Sequence, residues 1–144
     1  MKELRTEIEI DASTERVWRV LTDFERYPEW NPQIISISGP REVGARLQFV
    51  GRMGDKRTMK FRPTLLAVEP ERELRWLGRL VLPVLFDGEH RFEIEPLVPG
   101  RVRFKQSERF RGVLVPLLWP FIGDSTRRGF VAMNEALKQR AEAG

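Results

Sequence analysis

At 144 residues the chain has the length of one domain, enough to bury roughly 68–70% of the surface it exposes when unfolded. Apolar residues make up 41% and charged residues 32%, with 25 basic against 21 acidic side chains, the balance of a globular protein and not of a disordered tail. The absence of Cys excludes disulfides, thiol nucleophiles, iron–sulfur clusters and cysteine zinc sites, and a single His excludes centres built from several imidazoles, so neither metal nor cofactor is expected.

From Leu4 to Ile10 apolar and charged residues alternate, with Leu4, Thr6, Ile8 and Ile10 on one side, the period of a half-buried strand. Asp11 and Ser13 then offer N-cap oxygens, Glu15 suits a first turn, and Val17, Val20, Leu21 and Phe24 recur at helical spacing. Pro28 and Pro32 interrupt this helix and predict a second short one around Phe24–Trp30. Between Ile34 and Phe110 the period returns to two, broken by turn residues at Ser38-Gly39-Pro40, Gly54-Asp55, Glu69-Pro70-Glu71, Val81–Leu85 and Pro96–Gly100, which predicts six more antiparallel strands. Beyond Gly112 the spacing becomes helical, with Leu118, Ile122, Thr126, Phe130, Met133 and Leu137 on one stripe and Pro120 and Gly123 expected to kink or delay the start.

The expected fold is therefore α+β: a seven-stranded curved antiparallel sheet wrapped around a long C-terminal helix, two short helices between strands 1 and 2, and an internal cavity, in a single domain over 1–144. Met1 to Glu7 lacks the apolar core of a signal peptide, and the longest apolar run, Val113 to Ile122, carries two prolines and falls well short of the about 20 residues of a spanning helix. A cytoplasmic location is expected.

The hairpin Phe86–Glu95 and Arg101–Phe110 carries the chemistry. A turn centred on Val98 would place Glu95 opposite Arg101, Glu93 opposite Arg103 and Asp87 opposite Arg109, leaving Arg91 and Lys105 as the one like-charge pair. With acids beside them, Arg101, Arg103, Lys105, Arg109 and Arg111 read as a neutralised sheet face and not as a nucleic-acid stripe, so no nucleic-acid partner is expected. The same register puts His90 opposite Gln106 and diagonal to Glu108, on an apolar wall next to Gly78 and Gly88. Buried polar groups cost about 1–3 kcal/mol unless paired, so these three either satisfy one another or face a cavity whose ligand completes the bonding. Phe49, Phe61, Trp76, Phe104, Thr126, Phe130 and Met133 would form the body of such a site, with His90, Gln106 and Glu108 at its polar end.

The run Val17-Trp18-Arg19-Val20-Leu21-Thr22-Asp23-Phe24-Glu25-Arg26-Tyr27-Pro28-Glu29-Trp30-Asn31-Pro32 resembles the opening of the START-related helix-grip superfamily, which holds polyketide cyclase/dehydrase, lipid-transport and birch-pollen-allergen-like proteins. Arg72 to Gly78, Gly88 to Phe92 and Met133 to Lys138 continue the likeness, which spans the chain. The resemblance implies a sheet gripping the last helix around a hydrophobic cavity, and no single activity. The leading expectation is binding or transport of a hydrophobic small molecule: a lipid, quinone or polyketide-like compound. One alternative is a metal-free cyclase or dehydratase with His90 as general base and Glu108 orienting it or donating a proton. Another is a protein-interaction or chaperone-cofactor module. The apolar Val81–Leu85 loop would offer transient membrane contact; oligomeric state is left open.

Overall fold

In the computed structural model, residues 1–53, 57–79 and 85–144 are described, Met53 by its backbone alone. The turn expected at Gly54-Asp55 and the 81–84 part of the expected membrane-contact loop lie outside them. The first strand, β1 (Lys2–Ile10), leads into α1 (Thr14–Thr22), a 3₁₀ turn (Phe24–Arg26) and α2 (Tyr27–Trp30). Ser13 caps α1 by accepting from the Arg16 amide, and Val17, Val20 and Leu21 are its buried face. Tyr27 is fully buried and its hydroxyl donates to the Leu21 carbonyl, tying α2 back to α1.

Strands β2 (Ile34–Ser38), β3 (Gln48–Met53) and β4 (Arg57–Phe61) form one antiparallel sheet. Strands β5 (Thr64–Glu69), β6 (Glu73–Arg79), β7 (Asp87–Val98) and β8 (Arg101–Arg111) join β1 in a second, ordered β1-β8-β7-β6-β5. The described residues thus hold eight strands where the sequence predicts seven, because the expected strand from 56 to 69 breaks at Pro63. Proline offers no N–H to the ladder and restricts the residue before it. An Arg46–Thr64 bridge, with the Leu47 amide on the Pro63 carbonyl and the Leu65 amide on that of Ala45, joins the two sheets at the break.

The β7–β8 register also departs from expectation. The tight turn is Pro99-Gly100, with Val98 opposite Arg101; Pro99 presets the first central φ and Gly100 takes φ +81° at the second. Pairing therefore slips by two residues, and His90 faces Glu108 directly while Gln106 faces Phe92. Asp87 now opposes Arg111, Glu89 Arg109, Glu93 Lys105 and Glu95 Arg103, and the like-charge Arg91–Lys105 pair disappears. An even slip keeps every side chain on its expected face. Among the described residues, four of the five cations on β8 have carboxylate partners: Arg101 with Asp11, Arg103 with Glu7 and Glu95, Lys105 with Glu95 at 2.9 Å, and Arg109 with Glu3 at 2.8 Å. The Lys105 ammonium holds the Glu95 carboxyl below the usual carboxylate range.

Helix α3 (Val115–Ala143) starts earlier than expected, with Pro116 in its first turn, where the missing N–H costs nothing, and it runs on through Pro120. Its far end is anchored: Arg16 donates from Nε to the Ala141 carbonyl and from Nη2 to the Arg140 carbonyl, satisfying terminal acceptors of the helix. Phe130, Met133, Leu137 and Ala141 are buried in the second half, whereas Leu118, Ile122 and Thr126 in the first half are half-buried. The start of the helix is also packed, with Val115 buried against Leu4 and Phe110 and the Trp119 ring 5.2 Å from Phe110, so the helix stands off the sheet between its two ends. No helix among the described residues is long and apolar enough to cross a membrane.

Burial pushes the Tyr27 phenol well above its ordinary pKa. A raised folded pKa means the stabilisation is complete below the unfolded phenol's pKa of about 10 and is lost as pH rises above it, by at most about 1.4 kcal/mol per pH unit. Tyr27 is the only tyrosine in the chain, so its ultraviolet absorbance is an unambiguous probe. Phenolate absorbance and loss of the circular-dichroism signal are expected to rise together in alkali. Phenolate appearing near pH 10 in folded protein would contradict the burial.

Candidate functional site

Where α3 stands off the sheet, a cavity of about 270 Å³ remains, partly open to solvent. Its apolar wall is aromatic. The Phe49 and Phe61 rings lie 4.4 Å apart, Phe49 meets Trp76 edge-on at 6.0 Å, and Phe130 comes down from the helix. Glycines make room for these rings: a Cβ on Gly78 would stand 2.7 Å from the ring of Phe61. Backbone there is covered by a neighbour's side chain, and the residue's own side chain is absent.

Of the residues expected from the sequence, Phe49, Phe61, Trp76, His90, Gln106, Glu108, Thr126 and Phe130 line the cavity. Phe104 and Met133 do not. Both are fully buried in the main core, Phe104 on β8 stacked 5.9 Å from Phe92 and Met133 on the second half of α3, where helix and sheet have already met. The sequence reading missed Phe86 and Phe110, which pair at 5.8 Å, and also Gln33, Arg52 and Arg79 at the cavity's edge. Leu118 and Ile122, marked only as helix stripe, are lining residues as well.

The polar end is a continuous chain of contacts. The His90 ring sits between Phe92 at 4.5 Å and Phe130 at 4.9 Å, with Trp76 at 5.4 Å. Its Nε2 lies 2.9 Å from Gln106 Oε1 and its Nδ1 3.3 Å from Glu108 Oε1. Gln106 Nε2 donates to Asn134 Oδ1 at 2.7 Å and to the Phe130 carbonyl at 3.4 Å. Asn134 Nδ2 donates to Thr6 Oγ1 at 2.9 Å, and the Thr6 hydroxyl donates to the Gln106 carbonyl at 2.9 Å. Asn134 was overlooked in the sequence although it follows Phe130 by one helical turn; a polar residue on that stripe was the available signal. Glu108 remains 17% exposed in its side chain and reaches over Gly88, where a Cβ would overlap its Oε2. Among the described residues no group of three or more His, Cys, Asp or Glu could hold a metal ion.

A curved antiparallel sheet gripping one long helix around an apolar chamber is the helix-grip architecture. Residues 1–142 match the family described as polyketide cyclase/dehydrase and lipid transport, and the chain belongs to that family. Among solved structures, the Zhui aromatase/cyclase from Streptomyces sp. R1128 is similar at a TM-score of 0.81 and 15% identity, over 98% of this chain and 93% of that one. A START superfamily protein from Mycobacterium smegmatis follows at 0.75 and 20%, over 98% and 97%. The di-domain aromatase/cyclase BexL matches at 0.79 and 15%; 99% of this chain spans only 47% of it. At these identities the likeness is one of fold. No sequence among the curated proteins matches.

Proposed function

We propose that the protein binds or carries a hydrophobic small molecule, of lipid, quinone or polyketide size, between the sheet and the first half of α3. The observation that carries this reading is the cavity of about 270 Å³, walled by aromatic rings and closed at one end by a few polar side chains. That is the usual make-up of a small-molecule site, apolar for affinity with sparse polar groups for orientation. The family description, which includes lipid transport, points the same way. Val113, Leu117 and Phe121, exposed around the start of α3, would give an apolar ligand a greasy approach.

The test uses the apolar fluorophore N-phenyl-1-naphthylamine. Wild-type protein is expected to bind it saturably at one site, and Thr126→Trp, which fills the chamber from a half-buried helix position, to weaken it by about tenfold or more while the melting temperature holds. No binding, or binding indifferent to Thr126→Trp, would remove the reading.

A second reading, an acid–base enzyme of cyclase or dehydratase type, is favoured by one observation: His90 Nδ1 and Glu108 Oε1 meet at 3.3 Å in the cavity wall. Acid–base work needs such a pair within reach of the transferred proton. Under that reading a bound β-polyketone is converted with loss of water, a mass change that His90→Gln abolishes; an unchanged ligand mass leaves binding alone.

A further inference from the structure

We propose that the polar end of the cavity takes its ligand through a hydrogen-bond donor on that ligand, a hydroxyl, phenol or N–H of an otherwise apolar molecule, and that the accepting atom is Glu108 Oε2. The proposal rests on the reading of the cavity as a small-molecule site and names the class of molecule it selects. His90, Gln106, Asn134 and Thr6 are positioning residues that determine what Glu108 presents.

The direction of every bond in the chain follows from two backbone carbonyls, which can only accept. The Thr6 hydroxyl spends its hydrogen on the Gln106 carbonyl, so its oxygen can receive only an N–H, which Asn134 Nδ2 supplies. Asn134 Oδ1 is thereby turned towards Gln106, whose Nε2 must donate to it. The Phe130 carbonyl imposes the same orientation independently, since it too needs the Gln106 N–H. Gln106 Oε1 is left facing His90 Nε2 at 2.9 Å, so Nε2 carries a hydrogen.

In a neutral imidazole with hydrogen on Nε2, Nδ1 is a bare lone pair. Glu108 Oε1 lies 3.3 Å from it, close but not aligned as a hydrogen bond, so this end of the cavity presents a ring lone pair beside a carboxyl group. An ionised glutamate has acceptors only, and Oε2 is the oxygen not turned to the ring. Oε2 lies over Gly88, whose missing side chain leaves it room, in a cavity-lining residue whose side chain is 17% exposed. His90 Nε2 is held by Gln106 and Nδ1 has no hydrogen to give, so no donor faces the ligand from the ring and the charged acceptor beside it is Glu108.

A carboxylate or phosphate end would meet an acceptor and be repelled, and a ketone, quinone or ester carbonyl would find no donor at Oε2. Hydroxylated and phenolic molecules fit. The test compares naphthalen-2-ol with 2-methoxynaphthalene and naphthalene-2-carboxylate, which share one apolar body. Wild-type protein is expected to bind the naphthol about tenfold or more tighter than either, the worth of one buried hydrogen bond to a charged or polarised acceptor. In Glu108→Gln the amide N–H should donate to the bare Nδ1 and the amide oxygen replace Oε2, so the preference persists. In Glu108→Leu it should vanish.

Because the chain holds one His, the ¹⁵N spectrum of labelled imidazole reports His90 alone. A hydrogen on Nε2 is expected in wild type and in Glu108→Gln, and this reading stands should Glu108→Leu fail to fold. Equal binding of naphthol and methoxynaphthalene, a preference reversed by Glu108→Gln, or a bare Nε2 would overturn the proposal and leave the binding reading intact. If no naphthalene binds at all, the small-molecule reading falls and the proposal with it.

Discussion

Phe92→Ala is expected to remove about 3–5 kcal/mol of stability, most of what a domain holding about 5–15 kcal/mol can lose and still fold. Phe92 is fully buried and lies opposite Leu74 on β6 and Gln106 on β8. Its ring meets Trp76 at 5.2 Å, His90 at 4.5 Å and Phe104 at 5.9 Å, so it is the floor on which the site rests. Truncation would open a second void beside one the fold already tolerates, with neighbours held by two flanking strands and unable to collapse inward. Urea unfolding monitored by circular dichroism measures the loss. A cost below about 1 kcal/mol would mean that this floor is not close-packed.

The other large effect belongs to Gln106, which is fully buried and bonds to two side chains and a backbone carbonyl. Gln106→Leu keeps the bulk but leaves His90 Nε2–H and Asn134 Oδ1 without partners. At about 1–3 kcal/mol for each orphaned group, offset by the gain from a leucine, a net loss of about 3 kcal/mol is expected. Asn134→Leu alone should also destabilise, because it leaves one Gln106 N–H unpaired and removes the N–H that Thr6 Oγ1 accepts, the Thr6 hydroxyl keeping its bond to the Gln106 carbonyl. The pair of substitutions together should cost less than their sum by about 1 kcal/mol or more, since each removes the group that the other orphans. Additivity within about 0.5 kcal/mol would show that the chain of bonds is not a unit.

Much of the architecture was legible because strand and helix periods are local consequences of backbone geometry. The alternation around Phe92, His90 and Gln106 placed each on the inner face, and the assignment survived an error of register because the slip was even. What failed were features set by one residue's covalent limits against its neighbours. Pro63 split a strand whose alternation on either side was unbroken, and the Pro99-Gly100 turn outweighed a charge pattern that suited another pairing nearly as well. Asn134 was passed over because the role of a lone amide on the helix depends on what faces it across the interface, and its partner Thr6 is 128 residues away in the chain.

Sequence alone determined which side chains look inward, that a long amphipathic helix must cover them, and that thiol and multi-imidazole chemistry is absent from a chain without Cys and with one His. Tertiary structure decided how far that helix stands from the sheet. It thereby put Phe104 and Met133 in solid core, left Phe130 and Thr126 facing empty volume, and gave Glu108 the place at the cavity's polar end. The reason is physical: inward orientation is fixed within a few bonds of each residue. The gap between helix and sheet is set by the summed volumes of side chains from both, by the anchoring of the helix's far end, and by a pairing register that only closure of the whole fold selects.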